Sequence, residues 1–281
     1  MEKKNFWVMP AVVLSFAFFT TACQDNEPRN ASSEAMTATA GDEAQVSTTS
    51  DAVVSAADQY TPNFEASGMK VKGEVSATES DSVIVTVDRP DALSFPKVVT
   101  IDYGSTGFTG KRGNIFKGKL IVTISNKMDI VGSTKTITFE NFSINGNTLN
   151  GAKVITYKGE DSWTISANDT LTRADGTLVT WSTERTRTRL DDNQTPDIKW
   201  DDNFAITGSA SGVNAKGKAY TMTIDDANPL IIGGGYPHFT KGKVTITSDT
   251  KHISMDYGDG TKDDQATVTV HGKTKQITLK K

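Results

Sequence analysis

The chain has 281 residues, 36% of them hydrophobic and 23% charged, with 30 Lys and Arg against 34 Asp and Glu for a net charge of −4. This acidic balance argues against a nucleic-acid partner, which calls for a basic footprint. The single cysteine, Cys23, excludes an intramolecular disulfide, so a folded domain must hold together through its own core, for which about 200 residues are ample.

At the N-terminus, Lys3 and Lys4 precede an apolar run from Phe6 to Phe19 and the small residues Thr20, Thr21 and Ala22. That order of charged, apolar and small residues is the order of a secretion signal. The run is too short to span a bilayer comfortably and contains Pro10. Residues 1–22 are therefore expected to be a lipoprotein signal peptide. The string TTAC ending at Cys23 resembles a lipobox, with Thr20 in place of the usual Leu, and implies that Cys23 is lipidated. The alternative is a plain secretory signal that leaves a spare thiol. Processing removes Glu2, Lys3 and Lys4, leaving 28 basic and 33 acidic residues, or −5. The segment Gln24-Asp25-Asn26-Glu27 resembles the acidic surface-export signal of Bacteroidetes lipoproteins, or is simply a solvated linker start.

Residues 24–50 are rich in Ala, Ser, Thr, Glu and Asp and nearly free of large apolar side chains. Such composition offsets little conformational entropy, so residues 23–60 are expected to be a flexible, disordered tether, with one or two helical turns at 51–58. An all-β domain is expected over 61–281. Its strands are SVIVTV (82–87), KVVTIDY (97–103), KLIVTIS (119–125), KTITFENFSI (135–144), AKVITY (152–157), SWTIS (162–166), LVTWSTERTRTRL (178–190), NFAITG (203–208), AYTMTI (219–224), KVTITS (243–248), HISMDY (252–257), ATVTV (266–270) and KQITL (275–279). Most alternate apolar residues with Thr, the pattern of antiparallel strands with one wet face. Asn145-Gly146, Asp175-Gly176 and Asp259-Gly260 read as hairpin turns. The fold class is thus an antiparallel meander, sandwich or partly closed barrel of short Thr-rich strands. FKGKLIVTIS (116–125) echoes FTKGKVTITS (239–248), which suggests either two related lobes or the limited vocabulary of hairpins.

The strings FPKVVTIDYGSTGFTG, TITFENFSINGNTLNG, WSTERTRTR, WDDNFAITGSASG and MDYGDGTKDDQATVTV resemble a family of uncharacterised cell-surface lipoproteins of Bacteroidetes, from about Phe95 to Leu279. The resemblance implies an outer-membrane, lipid-anchored location facing the cell exterior. It implies no activity.

Several constellations could carry chemistry. His238, His252 and His271 are scattered and lack metal-ligand spacing. Asp256, Asp259, Asp263 and Asp264 gather in DYGDGTKDD, a weak calcium candidate that departs from the EF-hand pattern; an Asp-Gly hairpin with a solvated tip is the plainer reading. On one face of a strand, Trp181 is followed by Arg185, Arg187 and Arg189. This ladder could hold an anionic glycan by stacking and bidentate bonds. The plainer reading has Trp181 capping the core and the arginines on a wet face, paired across strands. Asp81-Ser82-Val83 and Asp169-Thr170-Leu171 resemble an O-glycosylation sequon. Together these features predict a surface lipoprotein with a non-enzymatic binding or envelope-structural role, no metal and no cofactor. Its partners would be the membrane, through the lipid, and a glycan or surface protein. A glycan-binding accessory lipoprotein and a hydrolase on a β scaffold are the alternatives.

Overall fold

The computed structural model describes residues 27–61, 83–89, 94–191 and 201–281. The signal peptide and Cys23 lie outside these residues. Fifteen strands form one antiparallel sheet: β1 (Ile84–Val87), β2 (Lys97–Asp102), β3 (Phe108–Thr109), β4 (Ile115–Ile124), β5 (Thr134–Ile144), β6 (Asn147–Gly159), β7 (Ser162–Thr172), β8 (Leu178–Asp191), β9 (Asn203–Val213), β10 (Ala219–Ile224), β11 (Leu230–Ile232), β12 (Lys241–Ser248), β13 (Lys251–Asp259), β14 (Gln265–Val270) and β15 (Lys273–Thr278). Neighbours in sequence are neighbours in space, apart from the short β3, paired to β4, and β11, which bridges β9 and β12. Each of the thirteen strings expected to be strands overlaps a strand, Ser82 of the first lying outside the described residues, and the echo between β4 and β12 falls within one continuous sheet.

The main correction concerns the expected tether. Residues Glu27–Tyr60 form one helix, α1, about 50 Å long at 1.5 Å per residue. Every position from Thr39 to Ala57 except Gly41 is buried. A helix covered on all sides in this way lies inside the curl of the sheet. Its apolar positions are small (Ala40, Ala44, Val53, Val54 and Ala57 are buried), which lets strands approach closely. Its polar positions point at the strands as well. For that reason no apolar stripe marks it in the sequence: a stripe appears only where one face packs on a core and the other meets water. Near its end Tyr60 meets Tyr103 edge-on, 6.1 Å between ring centroids, and Tyr103 stacks on Phe116 at 5.0 Å. Thr61 closes the helix by donating from Oγ1 and N to the carbonyl of Ala57.

Alternation along each strand sets the inner face. On β2, Lys97, Val99 and Ile101 are buried; on β8, Val179, Trp181, Thr183, Arg185 and Arg187 are. The Lys-Gly-Lys echo has a structural meaning. Gly118 and Gly242 sit at register shifts of β4 against β5 and of β12 against β13, with φ of +75° and +113°. A Cβ there would lie 2.1 Å from the Asn141 carbonyl oxygen or 2.4 Å from that of Pro229. Both are bulge glycines, the device that bends a sheet around its contents. Asn145-Gly146 is a two-residue turn with both φ positive, but Asp175-Gly176 and Asp259-Gly260 lie in longer connections. Equally tight turns form at Glu160-Asp161 and Asp249-Thr250, which carry no glycine.

If α1 is part of the core, a mature chain lacking residues 24–61 should show no cooperative thermal transition by circular dichroism. A synthetic peptide of residues 27–61 should restore the transition in trans. A deletion chain that still melts cooperatively would show that the sheet closes on itself without the helix.

Candidate functional site

The interior of the sheet is ionic, and most of its charge pairs join the helix to the sheet. α1 supplies the acids: Asp42, Glu43, Asp51 and Asp58. The surrounding strands and loops supply the bases: Arg112, Lys135, Arg173, Arg185 and Arg187. Arg173 donates to Asp42 (2.6 Å) and to Gln45 (2.7 and 3.0 Å). Arg112 meets Asp51 at 3.1 Å. Lys135 and Arg187 converge on the two oxygens of Asp58 at 2.9 and 3.0 Å. Lys153, on β6, donates to Ser50 Oγ at 2.8 Å and pairs with Asp169 on β7.

The Trp181 ladder lies within this network. Trp181 is 2% exposed, and its indole N–H donates to Glu43 at 3.1 Å. Arg185 reaches the other Glu43 oxygen at 3.3 Å, and its guanidinium lies 4.8 Å from the Trp181 ring centroid. Trp181, Arg185 and Arg187 therefore share one face, but it is the inner face. That excludes Trp181 as an exposed glycan platform and equally corrects the reading of Arg185 and Arg187 as a wet face. Only Arg189 reaches the rim, where it donates to Asp161 at 2.7 Å and lies 3.6 Å from Asp202. The missing clue was the partner. The acids that bury these cations sit on a segment whose composition reads as solvated.

Burial shapes the titration. Desolvation raises Glu43 to about 7, against the opposing pull of Arg185 and the hydrogen bond from Trp181. Burial lowers Lys153 and raises Asp169, each countered by the other's charge. Desolvation also raises Asp202 to about 6, opposed by Arg189.

One small cavity interrupts this packing, at the end of the sheet where α1 finishes. It is lined by Asp58 from α1, Lys135, Trp163, Arg187, Arg189, Asp202 and Phe204, among others, and has a volume of about 30 Å³. One water needs roughly 10–15 Å³ on that measure, so the space suits a group of a few heavy atoms. Arg187 gives Nη1 to Asp58 and lies 3.5 Å from the Phe204 ring centroid, while its Nε and Nη2 are buried without a hydrogen-bond partner. That free edge is the fork that binds a carboxylate through two parallel bonds. Both oxygens of the buried Asp202 also lack a hydrogen-bond partner.

The remaining candidates are placed as follows. Asp256, Asp259 and Asp263 accept bonds from the backbone N–H of Gly258, Thr261 and Gln265 in turn, and Asp264 from the Gln265 side chain. They are turn-capping residues on the surface, and no group of three or more potential metal ligands occurs among the described residues. His238 is buried, whereas His252 and His271 are exposed. Asp169 is buried in the middle of β7, so the second sequon-like triplet does not lie on an accessible loop; Asp81 and Ser82 of the first lie outside the described residues. No helix among the described residues is long and apolar enough to cross a membrane. No family model, curated protein or solved structure matches the chain.

Two tests follow from the network. The raised Glu43 means that the folded protein holds a proton the unfolded chain has released. Its contribution to stability is present below pH about 4.5 and lost as pH rises through about 7, with a slope of at most about 1.4 kcal/mol per pH unit. Glu43→Gln should flatten the fall in melting temperature between pH 5 and 7; an unchanged profile would show that Glu43 is not the titrating group. Separately, Lys153→Met should cost about 3–5 kcal/mol in urea unfolding because it strands Asp169, and adding Asp169→Leu should recover most of it. A double variant as weak as the single one would contradict this account.

Proposed function

We propose that the protein is a lipid-anchored, surface-displayed lipoprotein of the outer membrane, with a non-enzymatic binding or envelope-structural role. The observation that carries this reading is the position of α1. It begins four residues after Cys23 and forms the interior of the domain. A lipid on Cys23 would thus attach to the core element itself and hold the domain close to the membrane, in place of a long tether. One acyl chain gives only marginal binding, whereas two or more anchor stably.

The buried ionic groups support a structural use of charge over a catalytic one. Asp58 and Asp202 both line the cavity, but Asp58 is engaged by Lys135 and Arg187, so the two do not form the opposed carboxylate pair that glycoside hydrolysis uses. A binding role is favoured by the cavity. The free edge of Arg187, the Asp202 carboxylate and the partly buried Trp163 suit the head group of a small acid that also carries hydroxyls, such as a sugar acid. This moves the glycan-binding alternative from Trp181 to the far end of the sheet.

Cys23→Ala should release the protein from the membrane fraction, and protease added to intact cells should remove the wild-type domain. A variant that stays with the membrane, or a domain digested only after lysis, would overturn the anchor or the orientation respectively. In titration calorimetry, uronic acids should bind better than the matching neutral sugars, and Trp163→Ala should weaken that binding about tenfold. Equal heats from both sugar types would remove the glycan reading.

A further inference from the structure

The antiparallel meander sorts its turns to two ends, and the two ends differ in charge. α1 starts at one of them: Ser32 accepts a bond from Lys251, Asn214 donates to Thr39 at 2.7 Å, and Arg173 holds Asp42. The turns beside the first turns of α1 are 173–177, 214–218, 249–250 and 271–272. They and the strand ends beside them carry Arg173, Lys216, Lys218, Lys251, Lys273 and His271 against Asp175 and Asp249. Arg173 is taken up by α1, while Lys216, Lys218 and Lys273 are exposed. Lys218 lies 3.5 Å from Asp249, with both side chains well over half exposed, so that pair is screened and weak. Leu178, on the same rim, is 54% exposed.

The opposite end reads the other way. Its turns hold Asp129, Glu160 and Asp161, Asp225 and Asp226, then Asp259, Asp263 and Asp264, against Lys127 and Lys262. On a chain of net charge −4, a basic rim around the start of α1 runs against the overall balance. Cys23 lies four positions before that helix, so a lipid there would bring this rim toward the bilayer.

We propose that the end of the sheet at which α1 begins is a membrane-docking surface, on which Lys216, Lys218 and Lys273 bind the phosphate-bearing headgroups of anionic lipids. The inference rests on the anchor reading for its biological setting. It sets the orientation of the domain: basic end on the bilayer, acidic end and cavity facing outward. A lysine near an anionic bilayer contributes roughly a fivefold gain in binding, falling with salt.

The test uses the mature chain, residues 23–281, carrying Cys23→Ala, which isolates the surface from both the lipid and the apolar signal segment. It should co-sediment at low salt with vesicles containing phosphatidylglycerol and not with pure phosphatidylcholine. Lys216→Gln, Lys218→Gln and Lys273→Gln should each weaken binding about fivefold, and the triple variant roughly a hundredfold. Asp225→Asn with Asp226→Asn, at the far end, should change it little. The three lysines are exposed in or beside turns, so melting curves should be unaffected. A folded chain that ignores phosphatidylglycerol, or a triple variant that binds it as wild type does, overturns the proposal. Mass spectrometry of wild-type Cys23 reports on the anchor separately. An unmodified thiol with charge-dependent vesicle binding would sink the anchor and leave the surface standing, whereas a lipidated thiol with charge-independent binding would do the reverse.

Discussion

The structure depends on the match between an acidic helix and a basic sheet interior. Burying one carboxylate without a partner costs several kcal/mol, and a lone buried cation costs as much. α1 carries its acids into the interior, and the strands meet them with Arg112, Lys135, Arg173, Arg185 and Arg187. Neither half satisfies its buried charges in isolation. A free α1 is a polar helix with little to bury, and an empty sheet would enclose uncompensated cations. Replacing such pairs with hydrophobic residues is often neutral or stabilising, so the pairs contribute little net energy. What they specify is register. Glu43 can satisfy both Trp181 and Arg185, and Asp58 both Lys135 and Arg187, only with α1 at one depth and one rotation.

That requirement shapes the sheet. A flat sheet could not cover a helix from Thr39 to Ala57 on every side, whereas twist and bulges let it curl. Gly118 and Gly242 supply two of the bends, each pressed against backbone that leaves no room for a side chain. Among the described residues, β1 and β15 each pair with one neighbour. The β15 edge is lined with exposed Lys273 and Lys275, the kind of charge that discourages pairing with another chain. Beside it Glu34 and Ala38 are the exposed positions of α1 among residues 32–60, and the helix is covered along its middle turns.

Strand positions were legible because their signal is local. Alternation of Thr with Val or Ile, and Asn-Gly at a turn, depend on nearest neighbours and on the pleat. β3 and β11 were missed because two or three residues are too few to alternate. The helix was illegible for a different reason. Sequence patterning assumes that inside means apolar, and here the inside is partly ionic. The Arg185 and Arg187 parity on β8 was correct, but parity alone does not say which face is wet. The available clue was complementary: Glu43, Asp51 and Asp58 recur about two helical turns apart, in the one acidic stretch that otherwise lacks purpose. The cavity had no signal in the sequence, since Asp58, Arg187 and Asp202 come from three distant segments.

The placement of α1 also orders the folding of the chain. Its partners are remote: Lys251 bonds Ser32, and Gln45 bonds the carbonyl of Lys281 at a separation of 236 residues. α1 therefore completes its contacts only when the C-terminal end of the chain is available. Closing such long loops is entropically slow, and until it happens the polar helix is soluble while the Thr-rich strands expose their edges. A core made from the segment next to the proposed lipid site has one further consequence. A chain held at a membrane by Cys23 keeps its future core at the surface while the strands assemble around it. The basic turns at the start of α1 then come to rest where the anchor already is, so that one element would set both the register of the fold and the direction in which the domain faces.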